Sequence, residues 1–273
     1  MKREESVASS RARPADPART GADTVVVAAC ATLAFTGACF AHEALGHPGA
    51  CLAGGGTVTT MTSSLFACSP GLLLADLGGP GANLLKAVAG VLLLRGRRPG
   101  SIARLVFVLA AAFNVLWLAG CLLESAVTGR GDFAYAARLA GDAQAPLRAL
   151  FGLAGVGLGV ATCRMLGREP LTREALWLAY GVAGAAVCAS ALFNANSVGP
   201  ALREAALESF GAMAWLCFVR PRAAATQAHQ GPQPATSRRI VILALLALLA
   251  LLALCMLFAL GHGIGGRPAA MSV

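Results

Sequence analysis

Apolar residues fall in long blocks along this chain, separated by short polar stretches rich in arginine, glycine and proline. A run of about 18 or more apolar residues makes a helix long enough to cross roughly 30 Å of hydrocarbon. Seven blocks reach or approach that length: 24–44, 71–94, 104–123, 147–165, 174–193, 204–219 and 240–260. The clearest is the last, IVILALLALLALLALCMLFAL. The pattern predicts an all-α polytopic membrane protein with about seven transmembrane helices.

Three stretches break the pattern. Residues 1–23 are polar and carry Pro, Ala, Arg and Ser without an apolar centre, which predicts a disordered tail. RAAATQAHQGPQPATSRR at 222–239 has the composition of a linker before the last block. After the first block, AGGGTVTTMTSS at 53–64 sets three glycines ahead of an alternating threonine run, which suits a short strand or hairpin.

Composition agrees with a membrane chain: 57% of the 273 residues are hydrophobic and only 13% are charged. The net charge of +9 could suggest nucleic acid, but the arginines sit in alternate loops. They cluster in the N-terminal tail, at Arg95, Arg97, Arg98 and Arg104, at Arg164, Arg168 and Arg173, and at Arg220, Arg222, Arg238 and Arg239, while 45–70 carries none. Under the positive-inside rule this predicts a multi-pass protein of the plasma (inner) membrane, with a cytoplasmic N-terminus, an external C-terminus, lipid as its surroundings and no nucleic-acid partner.

The candidate chemistry lies at the end of the first block, in FAHEALGHPGAC at 40–51. Ionisable residues at membrane depth are costly and mark function by default. His42 and His47 are five apart, however, about 140° around a regular α-helix, where the familiar spacing of four leaves about 40°. A π-bulge at this point would realign them. Alternatively the helix ends at Gly46, where glycine permits unusual backbone angles and Pro48 disfavours the α conformation at His47, and His47 swings in from the loop. Two imidazoles and a third donor are a catalytic zinc set, and Glu43 stands next to the first histidine as a general base for a metal-activated water. The third ligand must come from elsewhere on the same side of the membrane: Asp132 first, with Asp76 and His262 as alternatives. Most of the nine cysteines lie in apolar blocks as small packing residues, but Cys51 and Cys68 share one external segment, where a disulfide can form.

These residues resemble the site-2 protease group of intramembrane zinc metalloproteases. The similar pieces are HEALGH at 42–47, AGGGTVTT at 53–60, GGPGANLL at 78–85 and FNVLWLAGCLLESAVTGRGDF at 113–133. The resemblance implies His42, His47 and Asp132 as zinc ligands, Glu43 as catalytic base and Asn114 as an upstream accessory residue. It covers 30–135 and departs from the family in the five-residue spacing and in the Gly131-Asp132-Phe133 context. The HExxGH spelling is itself similar to the zinc motif of the dipeptidyl peptidase III family. It also implies a division into a metalloprotease-like membrane core at 24–135, additional helices at 136–220, a linker at 221–239 and a final helix with an external tail at 240–273. The function expected is zinc-dependent endoproteolysis of a membrane protein or peptide substrate, with the threonine-rich strand offering an edge to that substrate. The alternatives are an inactive relative that still binds metal and a small membrane transporter. GGPGANLL is expected to use its glycines for close packing between spans.

Overall fold

The computed structural model describes residues 17–99, 101–195, 197–221 and 236–265. Helix α1 (Pro17–Cys39) runs without interruption into a π-helical segment, Phe40–Gly46, and then into α2 (His47–Ala53). A small sheet follows, β1 (Thr57–Met61) and β2 (Phe66–Ser69), before α3 (Leu73–Leu94) and α4 (Ile102–Thr128). Short helix α5 (Ala134–Leu139) leads to α6 (Gln144–Leu166), α7 (Arg173–Ala191), α8 (Val198–Ala206), α9 (Thr236–His262) and the two-residue strand β3 (Ile264–Gly265).

Among the described residues, six helical stretches are long and apolar enough to cross a membrane: Thr24–Ala53, Leu73–Leu94, Ile102–Thr128, Gly141–Leu166, Arg173–Ala191 and Ile242–His262. The block at 204–219 is not among them, because its helix is broken into shorter pieces. Arg203, Glu204 and Glu208 reduce its hydropathy, and its helix changes pitch twice, through a π-helical turn at Leu207–Gly211 and a 3-10 stretch at Ala214–Phe218. It is nevertheless packed inside the bundle. Gly184 of α7 leaves room for Phe210, Gly159 of α6 for Trp215, and Gly120 of α4 for Ala212. Small residues on long helices admit close approach, which replaces the hydrophobic driving force that lipid does not supply. Helix α1 begins at Pro17 and so takes in the end of the predicted N-terminal tail. Residues 1–16, the linker at 222–235 and the tail at 266–273 lie outside the described residues.

Helix ends follow ordinary capping chemistry. The Ser101 side chain accepts from the Arg104 N–H and the Thr172 side chain from the Ala175 N–H, each at 3.2 Å, starting α4 and α7. Gly129 ends α4 in the left-handed region at φ 70°. Helix α4 is the centre of the core, with Phe113, Leu116 and Trp117 fully or almost fully buried and Phe35 of α1 stacked on Trp117 at 5.3 Å.

The sheet has the order β2-β1-β3, both pairs antiparallel. The predicted strand is therefore present, but β1 is not a free edge throughout: Thr60 and Met61 pair with Gly265 and Ile264. The turn between β1 and β2 is buried in the bundle, and its polar groups are satisfied there. Ser63 Oγ contacts Ser190 Oγ at 2.9 Å, and Ser64 Oγ donates to the Ala201 carbonyl at 3.2 Å. Cys51 and Cys68 form a disulfide that ties α2 to β2 across 17 residues. Closing a loop of that size contributes about 3 kcal/mol by restricting the unfolded chain. A Cys51→Ser/Cys68→Ser variant in detergent is expected to unfold at a lower Tm than the parent protein, and the parent should lose the same margin on reduction.

Candidate metal centre

The π-helical segment Phe40–Gly46 resolves the spacing of the histidines. One extra residue per turn rotates a five-residue step back onto one face, so His42 Nε2 and His47 Nε2 lie 3.0 Å apart. The helix does not end at Gly46. Gly46 and His47 both keep right-handed helical angles, with φ −68° and −60°, and Pro48 follows inside the continuous helix, where it withholds one backbone N–H from the ladder. The glycine is needed for space: a Cβ on Gly46 would meet the Gly78 carbonyl oxygen at 2.5 Å and the Gly79 Cα at 2.7 Å. Gly78 and Gly79 of GGPG thus allow α3 to cross the histidine turn backbone to backbone. A Cβ on Gly79 would collide with both imidazoles, since His42 Nε2 would be only 2.7 Å away.

Each ring is held on its face and at its second nitrogen. His42 stacks on Trp117 of α4 at 5.3 Å, and His47 on Phe66 of β2 at 5.0 Å. His47 Nδ1–H donates to the Ala75 carbonyl at 2.7 Å, which leaves the Nε2 lone pair facing inwards. His42 Nδ1 contacts the Asn83 side-chain amide at 3.2 Å. Asn83 follows Gly79 by four residues on α3 and shares its face.

Asp132 completes the cluster. Its Oδ2 lies 3.1 Å from His42 Nε2 and its Oδ1 3.6 Å from His47 Nε2, while Glu43 Oε1 is 3.7 Å from His42 Nε2. The histidine side chains are 2% and 5% exposed and Asp132 20%, so the centre reaches solvent past Asp132. Burial alone would raise the Asp132 carboxyl, but His47 and His42 outweigh it and hold the group down at about 2, fully ionised at neutral pH.

These residues fit a divalent cation. The two imidazole nitrogens are 3.0 Å apart, and the Asp132 carboxylate faces each with a different oxygen, a donor set of the kind a divalent cation takes. A cation there requires the His42 proton to sit on Nδ1, with the Asn83 amide oriented so that its oxygen accepts it. Asn83 Oδ1 is buried with no hydrogen-bond partner, so it is free to take that role.

Of the residues expected from the sequence, His42, Glu43, His47 and Asp132 come together. The other three do not join the group of metal-competent donors among the described residues. Asp76 follows the Ala75 that anchors His47 but stays outside the group. Asn114 is buried in α4 and its Nδ2 donates at 2.7 Å to Ala110 of its own helix. His262 is exposed at the end of α9. Sequence reasoning missed Asn83, Trp117, Phe66 and Cys121, whose Sγ lies within 4.8 Å of donor atoms of His42 and Asp132. Asn83 had a signal: it is a polar residue within an apolar span, four positions after a glycine.

Comparison with protein-family models, with curated proteins and with solved structures finds no match. The site therefore rests on its own geometry.

Two outcomes follow. Asn83→Ala, which removes the partner of His42 Nδ1, is expected to weaken zinc binding about 10–100-fold, measured by competition with a chelator. Gly79→Ala should give a folded protein that no longer holds stoichiometric zinc, because the added methyl occupies the space of both Nε2 atoms.

Proposed function

We propose that this chain is a zinc-dependent intramembrane endopeptidase, in which His42, His47 and Asp132 hold the metal and Glu43 is the general base. The observation that carries the reading is the convergence of two buried imidazoles and an ionised carboxylate, with a second buried carboxylate 3.7 Å from His42. Zinc supplies a Lewis acid that brings the pKa of a bound water towards about 7. The chain's own residues supply the rest. Glu43 is positioned to take a proton and return it to the leaving amine. Asp132 fixes the open side of the site, and Trp117 and Phe66 keep both rings from turning.

The substrate class follows from the surroundings. The centre sits at the junction of a membrane-length helix and a small sheet, where a peptide leaving the bilayer in extended form can pair with backbone. The free edge of β2 and the part of β1 before Thr60 are the edges available for strand addition. The resemblance to the site-2 protease group supports the same assignment.

Metal analysis of the purified protein should return about one zinc per chain, reduced to background in His42→Ala and in His47→Ala. Glu43→Gln should keep its zinc yet cleave a membrane-embedded test substrate at least 100-fold more slowly, given the usual contribution of general-base catalysis. Normal cleavage by Glu43→Gln would remove Glu43 from the mechanism. Unchanged zinc in the histidine variants would remove the site.

A further inference from the structure

Cys121 belongs to the same centre and has no part in the hydrolysis outlined above. Its Sγ, a donor atom of His42 and a carboxylate oxygen of Asp132 all lie within 4.8 Å of one another.

The local fold builds this juxtaposition. Trp117, Cys121 and Ser125 follow one another at four-residue intervals and so share one face of α4. Trp117 carries His42 on its ring. Ser125 Oγ accepts from the Phe133 N–H at 3.2 Å and so fixes the residue next to Asp132. Between them the chain reverses through Gly129 and Gly131, both in the left-handed region at φ 70° and 83°, and runs back along the last turns of α4. A Cβ on Gly131 would sit 3.3 Å from Ser125 Oγ, which shows how tightly the loop is folded against the helix. The fold-back hangs Asp132 beside Cys121, in the middle of that face.

We propose that Cys121 is the fourth donor of the metal centre, so that the resting site is a closed set of two imidazoles, one carboxylate and one thiolate. This rests on the zinc reading given above and adds a regulatory step to it. Thiolate is a soft donor that suits zinc, and on coordination the thiol proton passes to solvent. Four protein donors leave no place for water, whereas a catalytic zinc keeps one position open. Cys121 therefore holds the position that hydrolysis needs, and its withdrawal arms the site. Packing alone does not account for this thiol. Buried Cys39, by comparison, spends its Sγ on the Ser63 carbonyl at 3.4 Å.

X-ray absorption at the zinc edge of the zinc-loaded full chain tests the assignment without any assay of activity. The expected spectrum has one sulfur at about 2.3 Å beside nitrogen and oxygen at about 2.0–2.2 Å. That sulfur should vanish in Cys121→Ser and persist in Cys39→Ser. Cobalt-loaded protein should likewise show a thiolate-to-cobalt charge-transfer band that Cys121→Ser lacks. Bound zinc with only nitrogen and oxygen neighbours overturns the inference and leaves the zinc site standing. A sulfur that survives Cys121→Ser also overturns it, and failure of the parent protein to bind zinc overturns both.

Discussion

The centre depends on one distortion of the backbone: the π-helical turn that brings His42 and His47 onto the same face of a helix that never stops. In a regular α-helix the two rings would point in different directions, and Asp132 could not face both. Widening a helix by one residue per turn weakens its hydrogen-bond geometry, so the distortion persists only where the surroundings hold it. Here the restraint is distributed. Trp117 and Phe66 clamp the rings, Ala75 and Asn83 take their second nitrogens, and the disulfide at Cys51 ties down the helix one turn after His47.

Close backbone approach is the second requirement, and it is met by omission of side chains. Gly46, Gly78 and Gly79 form a contact in which no Cβ fits, so α3 lies against the histidine turn and reaches it with Asn83 and the Ala75 carbonyl. In water such a contact would bury little apolar area and contribute little. In lipid, where apolar association is not driven by solvent, close packing and buried hydrogen bonds carry the association of helices, and the glycines serve both.

Much of this was legible from residue type and spacing. His42, Glu43 and His47 stand out because ionisable groups are rare within apolar blocks, and the fifth-residue spacing called for either a π-turn or a helix end at Gly46, of which the first forms. Asp132 could be named because it follows a span that ends on the same side. The disulfide and the strand after the glycines were also readable. Trp117 and Cys121 were not, since a helix surrounded by lipid and by other helices is apolar all round and its sequence carries no marker of which face meets the site; Phe66, on β2, was not either. Asn114 stands apart from these donors: its Nδ2 donates to Ala110 of its own helix, and its Oδ1 is buried without a partner among the described residues. The block at 204–219 was read as one apolar stretch, whereas its helix changes pitch twice along the way. Gly46 was assigned unusual backbone angles, whereas its role is to let α3 approach.

The pairing of β1 with β3 has a consequence for the order of assembly. During synthesis β1 and β2 emerge early, followed by almost every helix, and the backbone groups of Thr60 and Met61 wait for Ile264 and Gly265 at the far end of α9. Until α9 is in place, β1 keeps an open edge beside the histidine turn, exposed to any extended segment nearby. That edge of β1 is therefore among the last parts of the protein to be finished.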